Sequence, residues 1–107
     1  MFARIFEFTP RIELKDELVK KVRNEILPIL KKQNGFLEIL PLFPESKVEK
    51  VVAITLWTEK VHAEHYEHEV YPKVEAILKP YLLAPASVKP YTVETTLCQH
   101  FVEALAA

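Results

Sequence analysis

Val48 to Trp57, VEKVVAITLW, reads as a β-strand that is apolar on both faces. At the two-residue period of a strand, Val48, Val52, Ile54 and Leu56 fall on one face. Val51, Ala53, Thr55 and Trp57 fall on the other. The helices of a small domain can cover one such face. The second needs another cover, and a partner molecule is the expected source.

Upstream, Phe2 to Phe8 is a first strand, with Phe2, Phe6 and Phe8 opposite Ala3 and Ile5, and Thr9-Pro10 ends it. From about Glu13, Leu14, Leu18, Val22, Ile26 and Leu30 recur every fourth residue, the stripe of an amphipathic helix. Pro28 removes the bond its N–H would give to the Asn24 carbonyl, which predicts a bend and not a stop. Asn34-Gly35 supplies the C-terminal stop. Phe36 to Phe43 is a second doubly apolar strand (Phe36, Leu40, Leu42 against Leu37, Ile39, Phe43), and Pro41 places it at a sheet edge or in a bulge.

Downstream, Thr58 is the expected N-cap of a second helix. Pro72 fits the first turn of a continuation carrying Val74, Ile77, Leu78 and Leu82. A proline-rich connection, Pro80 to Pro90, leads to a last strand near Tyr91 to Cys98, and Gln99 to Ala107 forms a tail. The order strand, helix, strand, strand, helix, strand predicts one domain over 1–107, an α+β ferredoxin-like sandwich with the first and third strands central. Both helices then share one sheet face, and the other packs on a second copy as a homodimer.

Composition narrows the function classes. The 107 residues are 50% hydrophobic and 27% charged, with a net charge of −1 and no basic cluster of the kind nucleic acid selects. The lone Cys98 excludes an internal disulfide, so a reducing compartment is expected. No apolar run approaches the ~20 residues of a membrane span, and MFARIFEF is unlike a signal peptide, so a cytoplasmic location is expected.

Ile26-Leu27-Pro28-Ile29-Leu30 leading into Asn34-Gly35-Phe36, Ala53-Ile54-Thr55-Leu56-Trp57, Tyr66, Tyr71-Pro72-Lys73-Val74 and Leu78-Lys79-Pro80 together resemble the antibiotic biosynthesis monooxygenase-like group of dimeric α/β barrels. The resemblance covers nearly the whole chain. It implies a pocket between sheet and helices, but not one chemistry, since the fold hosts oxygenases, haem-degrading enzymes and isomerases. The haem-degrading branch uses a first-strand Asn, a helical Trp and a helical His. Those positions fall near Glu7, Tyr66 and Ala76. None matches, so no haem is expected. The single glycine leaves no phosphate loop for a nucleotide cofactor, and no other cofactor is expected. The cofactor-free quinone-forming members use Trp, Asn and Arg around a polycyclic phenol, for which Trp57 and Arg4 are the counterparts on offer.

Candidate site residues cluster on the second helix, HAEHYEHEVYP. At about 100° per residue, Ala63, Tyr66 and Val70 form its buried centre. His62, His65 and Glu69 flank it, and with Tyr66 they are expected to line one side of a substrate-binding cleft mouth, while Glu64, Glu67 and His68 point to water. His62 is the candidate catalytic base, with an ordinary pKa of about 6.5. A polar helix edge laced by i, i+3 and i, i+4 contacts explains the same residues without chemistry. The spacing of His62, His65 and Glu69 can hold a divalent ion, but no zinc-protease motif accompanies it and no metal is expected. Trp57 and Tyr66 are placed to sandwich a flat aromatic ligand or simply to pack the core. Arg4, inside a central strand, is an anion-binding candidate or the partner of Glu94 on the last strand. The expected function is a small-molecule-binding dimeric α/β barrel protein, specifically a cofactor-independent monooxygenase on an aromatic or polyketide-like substrate. The alternative is a non-catalytic binding or stress-related dimer of the same fold.

Overall fold

The computed structural model describes residues 1–46 and 50–98. Val48 and the Gln99 to Ala107 tail, both assigned roles from sequence, lie outside them. The strands are β1 (Phe2–Phe8), β2 (Phe36–Leu42), β3 (Val51–Trp57) and β4 (Ser87–Thr92). They form one antiparallel sheet in the order β2-β3-β1-β4, with β1 and β3 central as the ferredoxin-like reading requires.

The register sets the two faces. Phe2 pairs with Trp57, Arg4 with Thr55 and Phe6 with Ala53, so these residues share the face that packs on the helices. Ile5 pairs with Ile54 on the far face, beside Val52. There Leu40, Leu42 and Tyr91 remain 44%, 51% and 49% exposed. Ala3 and Leu56 on the same face are buried, so among the described residues the apolar surface anticipated from the sequence is open only in part.

Between β1 and β2 the helical segment starts with a 3-10 turn at Ile12–Leu14 and continues as α1 (Lys15–Lys21). A π turn over Val22–Ile26 follows, and then α2 (Leu27–Lys31). The chain stays helical through Pro28, and Leu27 N–H reaches back five residues to the Val22 carbonyl. A stripe repeating every fourth residue drifts about 40° per step around a regular α-helix. Over the three steps from Leu18 to Leu30 the drift is about 120°. One wide turn absorbs about one residue of that rotation. Leu18, Ile26 and Leu30 accordingly all remain buried.

Gly35 follows at φ 77°, the left-handed geometry that glycine accepts without strain. A Cβ there would lie 2.4–2.8 Å from His62 carbons, so the second helix crosses directly over this turn.

The second helical segment differs in detail from expectation. Its N-cap is Glu59, without a side-chain cap bond, and Thr58 instead donates its N–H to the Gly35 carbonyl at 2.8 Å. α3 (Lys60–Glu69) ends at Val70 (φ −119°), where α4 (Tyr71–Leu78) begins with Pro72 in its first turn. Leu82 is buried but extended, bridging to Pro10 beyond a short 3-10 turn.

β2 and β4 depart from the predicted strands. A bulge between Phe36 and Glu38 puts Phe36 opposite Trp57 and Ile39 opposite Thr55. Phe36 therefore shares the helix-side face with Ile39 and not the face of Leu40 and Leu42. β4 begins at Ser87, well before Tyr91, with Pro90 opposite Arg4. An edge strand tolerates proline because one row of its donors faces outward. Glu94 lies beyond the strand, where its side chain accepts from the Thr96 N–H and hydroxyl.

Candidate functional site

A cavity of about 720 Å³ lies between the helix-side face of the sheet and the helices. Its inner wall is Phe6, Val51, Thr55, Leu18, Ile26, Leu30, Tyr66, Tyr71 and Val74, all buried. Its mouth is formed by exposed residues, with Arg23 and Lys31 on the first helical segment facing Leu37, Glu38, Pro41 and Phe43 around β2. An apolar cavity of about 150 Å³ already admits benzene. This one has room for several fused rings, and its volume is typical of small-molecule sites.

Polar groups converge on the inner wall. Tyr66 and Tyr71 both line the cavity with ring centroids 6.2 Å apart. Burial raises both phenol pKa values above the usual range, more strongly for Tyr66, so both hydroxyls remain protonated donors at neutral pH. Among the described residues, neither hydroxyl is engaged in a hydrogen bond. Each is therefore free to donate to a ligand. Thr55 accepts the Trp57 indole N–H at 3.0 Å.

Behind these rings sits Arg4, only 1% exposed. Its guanidinium carbon lies 5.0, 5.6 and 5.4 Å from the rings of Phe6, Tyr66 and Tyr71. Nη2 approaches Glu67 Oε1 at 3.3 Å without hydrogen-bond geometry, and among the described residues neither Nη1 nor Nη2 has a hydrogen-bond partner. Burial lowers the guanidinium pKa and Glu67 opposes that shift. The group remains a cation at neutral pH. A buried cation against the back of two cavity-lining phenols biases that wall toward negative charge.

The structure divides the residues singled out from sequence. Tyr66 lines the cavity, and Arg4 supports it from behind. Trp57 is fully buried and does not line it. Its ring touches Tyr66 directly, with centroids 5.2 Å apart, which leaves no gap for a sandwiched ligand. His62 and His65 border a separate shallow groove of about 240 Å³ with Gln33, Asn34 and Val61. His62 packs on Gly35 there and stands 3.5 Å from Glu59. His68 and Glu69 are exposed, and Glu69 lines neither hollow. Among the described residues, no three His, Cys, Asp or Glu side chains are placed to hold a metal ion.

Arg4 pairs with Glu67 and not with Glu94, because the shifted β4 sets Pro90 opposite it. Glu67 is thus no purely solvent-facing residue. Periodicity also missed Tyr71, which lies about 140° from Tyr66 on a continuous helix. The break at Val70 turns both inward, and Pro72 was the only sequence signal for it.

No protein-family profile matches the sequence, and no curated protein shows detectable sequence similarity to it. Solved structures do match. An antibiotic biosynthesis monooxygenase superposes with a TM-score of 0.68 at 14% identity, covering 87% of this chain and 98% of that one. SnoaB, a cofactor-independent oxygenase from Streptomyces nogalater, gives 0.70 at 15%, covering 92% and 97%. A MhuD variant with two manganese protoporphyrin IX molecules per active site gives 0.72 at 18%, covering 88% and 95%.

Among the described residues no His or Cys lines the cavity, so none of them offers a porphyrin an axial imidazole or thiolate. Glu7 pairs with Val52 on the far face, so Phe6 and Phe8 are the first-strand residues that reach the cavity. The chain has the fold of the antibiotic biosynthesis monooxygenases, an α+β ferredoxin-like protomer.

Proposed function

We propose that the protein binds a flat, largely apolar phenol in the cavity and acts on it as a cofactor-independent monooxygenase. The observation that carries this reading is the pair of unpartnered phenol donors, Tyr66 and Tyr71, backed by the buried Arg4 cation. Such a wall stabilises a phenolate over a phenol. Phenolate formation makes the ring electron-rich enough to transfer electrons to dioxygen. One oxygen atom enters a ring carbon and the other leaves as water. The phenol O–H and the ring C–H supply the two hydrogens, so phenol plus O₂ balances as quinone plus water with no external reductant.

The working unit in this proposal is a homodimer joined through the far sheet face, as the exposure of Leu40, Leu42 and Tyr91 suggests. A polycyclic phenol with a pKa near neutrality suits the site best, because among the described residues the inner wall holds donors and no base. The missing base also favours a second reading, a binding dimer without turnover. Oxygen-electrode assays with naphthols and anthrols separate the two. The first requires O₂ uptake with stoichiometric quinone absorbance, which Arg4→Met lowers. Tight binding without O₂ uptake by any of them would sink it in favour of the second.

A further inference from the structure

We infer that the cavity is built for a ligand with a polar group at each end: a flat hydroxyaryl carboxylic acid with its phenol at the inner wall and its carboxylate at the mouth. The inference rests on the small-molecule reading of the cavity and adds a carboxylate to the substrate class. Among the described residues the lining is almost wholly apolar, and its charged members are Arg23, Lys31 and Glu38.

Arg23 and Lys31 stand at i and i+8 with Leu27, another lining residue, between them, so one edge of the helical segment faces the opening. Among the described residues neither has a carboxylate partner, whereas Arg4, Lys21 and Lys60 each do. Lys15 adds a third cation, its Nζ 5.0 Å from the centroid of the Phe43 ring at the same mouth. The opposing carboxylate, Glu38, is engaged by the Ile39 N–H at 3.1 Å. Among the described residues the mouth therefore carries an excess of positive charge, on a chain whose net charge is −1.

The π turn over Val22–Ile26 contains Arg23, so the widened turn also sets the direction in which this guanidinium leaves the helix. A planar guanidinium matches a carboxylate through two parallel N–H donors, and lysine contributes a point charge beside it. Fused rings span the apolar interior between this mouth and the Tyr66–Tyr71 wall. A neutral phenol would leave the pole at the mouth unused.

The test is a titration of the full chain, followed by quenching of the single Trp57, with 6-hydroxy-2-naphthoate and with its methyl ester. The acid is expected to bind at least tenfold more tightly than the ester, with the difference shrinking as salt rises. In the Arg23→Gln/Lys31→Gln double variant the acid should weaken about tenfold while the ester is unchanged. Both positions are exposed, so folding is expected to survive, and far-UV circular dichroism checks it. Equal binding of acid and ester, or discrimination retained in the double variant, overturns the carboxylate inference and leaves the cavity reading intact. Failure of both probes to bind the wild-type chain overturns the two together.

Discussion

Replacing Arg4 with methionine is expected to make the protein more stable and its ligand binding weaker. The guanidinium is almost completely removed from solvent, with two nitrogens lacking hydrogen-bond partners. Leaving such groups unsatisfied costs roughly 1–3 kcal/mol each. Against this stand an ion pair with a half-exposed Glu67, worth roughly 0–1 kcal/mol, and contacts with three rings worth roughly 1–2 kcal/mol together. Methionine keeps most of the apolar stem packing and carries no charge.

The balance favours the variant by about 1–2 kcal/mol, consistent with buried ion pairs replaced by hydrophobic residues elsewhere. For a domain of this size that raises Tm by roughly 5 °C or more. Urea denaturation followed by Trp57 fluorescence measures it, at fixed protomer concentration so that any association equilibrium is held constant. Affinity for 6-hydroxy-2-naphthoate should fall at least tenfold in the same variant, because the positive charge behind Tyr66 and Tyr71 is gone. A loss of 1 kcal/mol or more of stability, or an unchanged affinity, refutes the assignment of Arg4 to binding.

The buried tyrosines predict alkaline sensitivity. Tyr66 and Tyr71 have folded-state pKa values raised above the unfolded value of about 10, so their contribution is intact below pH ~10 and is lost as pH climbs through the folded-state values. Urea midpoints measured between pH 8 and 11 should fall at the upper end, and less steeply in Tyr66→Phe. Gly35→Ala should cost about 3 kcal/mol, combining left-handed strain with the clash against His62. Adding His62→Ala should recover about 1 kcal/mol of it, because the imidazole contacts vanish while the Cβ contact remains. Ile54→Glu, on the far face, should convert a species of twice the 12.4 kDa chain mass into monomer in light scattering; a wild-type monomer at micromolar concentration contradicts the dimer.

Sequence reading worked where one rule governed many residues. The two-residue period of Val51 to Trp57 identified both faces of β3, and the element order specified the strand order that the hydrogen bonds show. It faltered where a single irregularity reset the phase. The bulge after Phe36 moved that ring to the helix side, and the break at Val70 brought Tyr71 beside Tyr66. Proline density hid β4, because Pro90 and its neighbours look like a connector until an edge strand is there to tolerate them. That displacement also explains the wrong partner for Arg4. The expected Glu94 depended on a register set by the strand's start, and a start at Ser87 puts Pro90 there instead.

The site was only partly legible for a related reason. Helical periodicity ranks residues by burial, and it correctly put Tyr66 inside, but burial does not say which buried residue meets empty space. Trp57 and Tyr66 are both buried, yet only Tyr66 borders the cavity. His62 drew attention through its chemistry, while the crossing over Gly35 assigns it to a helix–turn contact on another groove. The informative signal was the one polar residue on the phenylalanine face of the first strand. In FARIFEF, the helix-side face reads Phe2, Arg4, Phe6, Phe8, and a charge at that position opposes folding unless something compensates. Glu67 compensates incompletely, since among the described residues Nη1 and Nη2 have no hydrogen-bond partner. On the proposed function, a cation kept at a net cost to the core, directly behind two free phenol donors, is where this small domain trades stability for binding.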